Sequence, residues 1–340
     1  MQNIESTENR EVLSLPTKRG ISLEDLYSEA QGIQSLCEDF TVSKASDLNM
    51  RFSPNSGTLL YFPDDSSVFR SSGMTRYAMS QLCNKLGIPI RYLEKCINSG
   101  MTDLASENIN SWLQNYNKNL FIREYNNQIR GILSDRYMTL DTPNILEVLS
   151  SVVDSSDYTT KGYFISPERF HIRLVQKEML NIAGEDLFAG IQIDSSDVGR
   201  STLTARFMIF KQVCTNGLCI SKGSGVLFEQ KHIGLSVDEF HREFRESMVR
   251  IPEVIDNTIE LIEKSRTLKL KEFSEAFRNQ FKIRTGLSNE SVDKVLSVMN
   301  DKYSNTHWGL INSITEVAQD FTLERRVELE KIAGEMLLVA

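Results

Sequence analysis

Apolar positions change their spacing twice along the chain, and each change marks a change of element. Between about 74 and 117 they recur at helical intervals, as Tyr77, Leu82 and Leu86 do within "MTRYAMSQLCNKLGIPIRYLEKC". Gly87 and Pro89 divide that run into two helices, and "ENINSWLQNYN" extends the block. From about 119 to 234 the period shortens towards two. "YFISPERFHIRLV", "LFAGIQIDSSDVG" and "TLTARFMIFKQV" read as strands separated by Gly, Ser and Asp turns. Helical spacing returns at 236, where Ser236 and Glu239 in "SVDE" form a capping box. Phe240, Phe244, Met248 and Val249 make the buried stripe of that helix, and Pro252 kinks or restarts it. Residues 1–60 contain one amphipathic segment, "SLEDLYSEAQGIQSLCEDF", among polar connections, with Ser22 as N-cap and Asp25 at the third helical position. The expected fold is α+β, a central curved antiparallel sheet flanked by helices and followed by a helical C-terminal region. Its parts are an N-terminal segment (1–70), a mixed core (71–235) and the helical region (236–340).

Within the strand region, "FMIFKQVCTNGLCISKGSG" places Cys214 and Cys219 around Asn216-Gly217. Asn-Gly suits the two positive-φ positions of a two-residue hairpin turn, which makes both cysteines small packing residues. A zinc site would need more ligands, yet the chain has no CxxC and its four histidines are scattered. Dinucleotide, Walker, GxSxG and HExxH signatures are also missing. "DRY" at 135–137 and "DSSD" at 194–197 read as a strand end and a loop tip. The expectation is therefore a nonenzymatic protein without cofactor or metal.

Composition narrows the setting. No apolar run reaches membrane length, the N-terminus is polar, and five cysteines in 340 residues give no disulfide framework. A cytoplasmic protein with no membrane partner is expected. The net charge of −8 is unevenly spread: residues 1–60 hold nine acids against five bases, and 238–340 nineteen against fifteen. The middle is balanced, and its cations fall on alternating segments, where a shared surface can form. Arg123, Arg130, Arg136, Arg173, Arg206, Lys211 and Lys222 are the candidate phosphate contacts, with Tyr137 and Asn216 beside them. Tyr125, Tyr137 and Phe207 are candidate stacking aromatics.

Five stretches, in order, resemble a phage- and plasmid-borne family, domain of unknown function 932. They are "MSQLCNKLGIPIRYLEKC", "NINSWL", "RGILSDRYMTLDTPNIL", "VCTNGL" and "HWGLINSITEVAQDF", spread over roughly residues 70–325. The family's usual Asn-Ser-x-x-Gly loop is here "DSSDVG", with Asp194 in place of the Asn. The resemblance implies a mobile-element context of DNA handling or host takeover and no established chemistry.

Charge pattern and context converge on a nonenzymatic DNA-binding protein of a mobile element, acting by single-strand annealing in recombination or replication. Single-stranded DNA is its expected partner, and a homo-oligomer its expected assembly. The alternative is an interaction protein that inhibits a host protein, in one form through an acidic, DNA-mimicking surface. Charge geometry separates the two: cations converging on one open face favour nucleic acid, and cations tied into ion pairs favour the alternative.

Overall fold

The computed structural model of the chain describes residues 20–53, 57–63, 69–182, 184–211, 217–219, 225–232, 236–270 and 274–338. They form two lobes, each with a six-stranded sheet and its own apolar core. Helix α1 (Leu23–Gln34) starts at Ser22, whose side chain accepts the Asp25 N–H at 3.0 Å. The first lobe then runs through β1 (Cys37–Val42), β2 (Asn49–Ser53), β3 (Gly57–Pro63) and β4 (Phe69–Met74). Three helices follow: α2 (Arg76–Leu86), α3 (Ile90–Asn98) and α4 (Thr102–Gln114). Gly87 ends α2 at φ +71°, the left-handed cap that glycine adopts without strain. The lobe closes with β5 (Leu120–Tyr125) and β6 (Gln128–Leu133).

Its sheet order is β1-β5-β6-β4-β3-β2, antiparallel except where β4 and β6 run parallel. Four of these strands lie in a region whose sequence shows only a helix and polar connections. Strand β1 explains why: it reads "CEDFTV", an edge strand whose alternation is confined to Phe40 and Val42, and its partner β5 lies far off in the chain, Asp39 pairing with Arg123. Strand β2 is held by Asn110 of α4, which exchanges two hydrogen bonds with the Met50 backbone at 2.8 and 3.0 Å.

The second lobe begins with α5 (Thr142–Val152) and β7 (Tyr158–Ile165), β8 (Phe170–Ile182), β9 (Glu185–Ser195) and β10 (Leu203–Lys211). Strands β11 (Gly217–Cys219) and β12 (Val226–Gln230) both pair with β10, and the whole sheet is antiparallel. Helices α6 (Val237–Val249), α7 (Ile251–Thr267), α8 (Glu275–Thr285), α9 (Asn289–Lys302), α10 (His307–Val317) and α11 (Leu323–Leu337) complete it. The fold is α+β with a helical C-terminal region, and it has two sheets where one was expected.

One face of the second sheet buries Phe170, Ile172, Ile191, Ile193, Ala205 and Phe207 against Phe240, Phe244 and Met248 of α6. Ser236 and Glu239 form the capping box that starts α6, and Pro252 sits in the first turn of a new helix, α7. Val249 departs from the expected stripe: as the last residue of α6 it is 76% exposed. Leu23, Leu26 and Ala30 of α1 pack in this second core, so the chain passes between the lobes twice, near 35–36 and over 134–140.

The two-residue turn at Asn216-Gly217 is also corrected. Gly217 pairs with Phe210 and Leu218 with Ile209, so Gly217 already belongs to β11 and the connection is longer. Asn216, Cys214 and Lys222 lie outside the described residues. Of Lys211, the backbone is described as the last residue of β10, opposite Leu187.

Candidate functional site

Alternation along β8, β9 and β10 sends polar side chains to the face opposite the apolar core, but that face is covered. His171 and Arg173 stand opposite Asp194 and Gln192, which stand opposite Thr204 and Arg206. Arg173 donates to Gln192 Oε1 at 3.0 Å and to Glu330 Oε2 at 2.6 Å, and both Arg173 and Glu330 are buried. Arg206 donates to Asp194 Oδ2 at 3.2 Å, beside buried Met208 and Phe210. His171 Nδ1 lies 2.7 Å from the other Asp194 oxygen. Burial opposes the charge on Asp194, but the His171 imidazole outweighs it and holds the carboxyl well below the usual carboxylate range. These cations are tied into internal pairs and form no open phosphate track. Phe207 lies in the core and offers no stacking surface.

Arg123 and Arg130 are also turned inward, into the junction between the lobes. Arg123 on β5 sits directly opposite Asp39 on β1 and meets both its oxygens at 2.9 Å. From the second lobe it receives both oxygens of Asp141 at 2.6 Å and the Asp197 carbonyl at 2.6 Å. Burial opposes the charge on Arg123, yet Asp141 and Asp39 outweigh it and raise its pKa above the ordinary arginine value. Arg130 is the extra residue of a bulge, where pairing steps from Arg123–Gly131 to Glu124–Ile129. It donates to the Pro167 carbonyl and lies 3.7 Å from Asp197 Oδ2. Burial first, then the charge of Asp141, pushes Asp197 up to about 7.

Tyr137 roofs this cluster. Its hydroxyl donates to the Ser196 carbonyl at 3.1 Å, and its ring stacks with His232 at 5.3 Å and Phe121 at 6.4 Å. With two rings already against it, Tyr137 is no open platform for a base. Burial lowers His232 to about 4, so its imidazole is neutral at pH 7, and neither ring nitrogen has a hydrogen-bond partner among the described residues. Arg136, next in the chain, is exposed.

Beside Tyr137 and His232 a cleft of about 640 Å³ opens between the lobes. One wall is Gln81, Asn84 and Lys85 of α2 with the end of β6; the other is the turn Gly199–Thr202 with Lys231. The turn is built by Ser196, whose hydroxyl accepts the N–H groups of Val198 and Arg200 at 3.3 and 2.9 Å, and by Gly199 at φ +73°. Gln81 ties the walls together, donating to the Val198 carbonyl at 2.9 Å and accepting the Ile132 N–H at 2.8 Å. Among the described residues, Lys85, Arg200 and Lys231 line the space and no carboxylate does. Burial, and then the charge of Lys118, lowers the Lys85 pKa, a strain that a bound anion would relieve. Arg200 lies 4.8 Å over the Tyr77 ring and pairs with Glu168 at 3.0 Å. The volume lies within the range of small-ligand pockets.

The family model described as Domain of unknown function (DUF932) matches residues 130–334, more than half of the chain. The chain belongs to the DUF932 family. No curated protein and no solved structure matches it. The DUF932 match begins at Arg130 and takes in the second sheet and most of the second lobe's helices, though not α1, and includes Asp141, Asp197, Arg200, Lys231 and His232. The α2 wall, with Lys85, lies outside the matched residues. Asp194, where this DUF932 chain carries Asp in the loop pattern, is the acceptor that joins His171, Gln192 and Arg206. Among the described residues, no helix is long and apolar enough to cross a membrane.

Sequence reasoning missed Lys85, Arg200, Lys231 and His232. One signal was present: Gln81 and Lys85 are four apart in the helical block and so share a face of α2. Nothing local joined that face to Lys231, nearly 150 residues away.

Proposed function

We propose that the protein is a nonenzymatic binder of single-stranded nucleic acid, with the backbone phosphates held in the cleft between the lobes. The observation that carries this reading is the charge of that cleft: among the described residues Lys85 and Lys231 line it without a carboxylate in the lining, beside Arg200, which is paired with Glu168, in a chain of net charge −8. A local basic concavity focuses an anion even on an acidic protein. Asn84, Ser134, Ser201 and Thr202 add neutral side chains able to hydrogen-bond phosphate oxygens. Annealing of complementary strands during recombination or replication of a mobile element is the use we propose for it.

Fluorescence anisotropy on labelled single- and double-stranded DNA over a salt series tests the reading. Lys85→Ala and Lys231→Ala should each weaken single-strand binding on all sequences alike. Each should also lower the slope of log affinity against log salt by about 0.7, the value for one single-strand phosphate. No binding at low salt, or a double variant with unchanged affinity and slope, would end it.

A second reading has its own observation. A groove of about 780 Å³ between α1 and α5 is lined by Glu24, Glu147 and Asp154, with no cation in the lining among the described residues. That surface suits a basic host protein, and charge reversal there would abolish inhibition of such a partner while leaving DNA binding untouched.

A further inference from the structure

Asp197 sits where the lobes meet, and the charges of Arg130 and Arg123 offset its own only in part, because neither guanidinium hydrogen-bonds its carboxyl. All five N–H groups of Arg123 are taken by Asp39, Asp141 and the Asp197 carbonyl, leaving none for the Asp197 carboxyl. Arg130 is 3.7 Å from Asp197 Oδ2, beyond hydrogen-bond reach, and its Nε and Nη2 have no partner among the described residues. The Thr142 hydroxyl, at 3.2 Å, is the hydrogen bond that Asp197 Oδ1 receives. Two guanidinium groups thus face three carboxyls, of which Asp141 and Asp197 are buried and Asp39 is partly exposed. The other titratable neighbours are Cys37 on β1, Tyr137 and His232, with Glu168 and Arg200 paired to each other beyond Ser196.

Around this cluster the lobes keep separate cores, the chain crosses between them twice, and the cleft has one wall on each. A polar junction of this kind permits lobe motion that a large apolar one would resist. We infer that Asp197 is a proton-gated latch between the lobes: as a neutral acid it lets them close, and as a carboxylate it forces them apart to regain water. The sign follows from burial, which raises the pKa of Asp197 above its ordinary value of 3.8 to about 7 when the junction is closed. Closure is then fully favoured below the ordinary value and is lost as pH rises through about 7. This device is independent of what fills the cleft.

Small-angle X-ray scattering of the full chain without nucleic acid, at pH 6 and pH 8, reads the lobe separation. The radius of gyration should be larger at pH 8 and return to its lower value at pH 6. Asp197→Asn should hold the compact profile at both, and His232→Gln should keep the transition, which excludes the histidine as the gate. Equal scattering of the wild type at both pH values would overturn the latch, as would a transition that survives in Asp197→Asn. Should that variant fail to fold, carbon-13 NMR of the wild-type Asp197 carboxyl decides: a midpoint near 7 that tracks the scattering supports the latch, and a midpoint near 4 overturns it. Since no DNA is present, failure here leaves the nucleic-acid reading standing, and absence of DNA binding leaves the latch standing.

Discussion

Arg123 and Lys85 carry the same charge at the same lobe boundary, and their surroundings give them opposite roles. Arg123 is fully buried, with two carboxylates and a carbonyl within 2.9 Å, so its charge is consumed by the fold. Lys85 is half-buried on the wall of an open cleft whose described lining holds no carboxylate, and Asp135 acts on it only at a distance that makes no ion pair, so its charge faces the cleft. A buried guanidinium is desolvated whether or not it does anything, and only its carboxylates make that tolerable. The contrast teaches that the cations of an alternating strand are poor guides to a binding surface when both faces of the sheet are covered. Arg173 and Arg206 repeat the lesson on the second sheet.

The contrast breaks first at Arg123. Arg123→Ala leaves Asp39 and Asp141 facing each other without a cation, and urea denaturation should show a loss of roughly 3–5 kcal/mol. A variant as stable as the wild type would mean that the cluster does not hold the lobes.

Asp197→Asn is the next largest and has the opposite sign. The wild type loses stability as pH rises through about 7, because the ionised Asp197 is incompatible with the closed junction. The variant does not, so at pH 8 it should be more stable than the wild type by an amount on the order of 2–4 kcal/mol. His232 opposes this over part of the range. Its folded pKa is depressed from 6.5 to about 4, so its contribution is present above 6.5 and lost as pH falls towards 4. The two slopes offset each other between about 4 and 6.5. Chemical denaturation of His232→Gln should therefore uncover a fall in stability with rising pH in that window.

Arg206→Ala sharpens the contrast at smaller cost. Asp194 keeps His171 and Gln192, so thermal melts should show a loss of about 1–2 kcal/mol. Its DNA affinity and salt slope should match the wild type. The smallest change in stability belongs to Lys85→Ala and Lys231→Ala, within roughly 0.5 kcal/mol. Those two should be the variants that lose binding. If Arg206→Ala changed the salt slope and Lys85→Ala did not, the roles assigned to the two regions would be reversed.

Much of the fold was legible because it is written in local pattern. The helical block, the strands β8 to β10, the caps at Ser22 and Ser236 and the restart at Pro252 all depend on residues within a turn or two of each other. Parity along β10 puts Arg206 on the same side as buried Met208 and Phe210, and Asp194 supplies its internal partner. Strands β1 to β4 escaped because an edge strand such as "CEDFTV" alternates over only Phe40 and Val42, too short a run to read, and its identity comes from β5. The Asn-Gly turn misled because dipeptide preference says nothing of register, which the pairing of Gly217 with Phe210 decides.

By itself the sequence determined the class of the helical block, the central strands and the C-terminal helices, the inward stripe of Phe240, Phe244 and Met248, and the net charge. These follow from spacing and from groups in contact along the chain. Tertiary structure alone decided that there are two sheets, that the polar side of the second is covered, and that Lys85 and Lys231 share a cleft. It also buried Asp197 at the lobe junction. The physical reason is that burial and the distance between charges set the fate of a cation, and both depend on segments far apart in the chain.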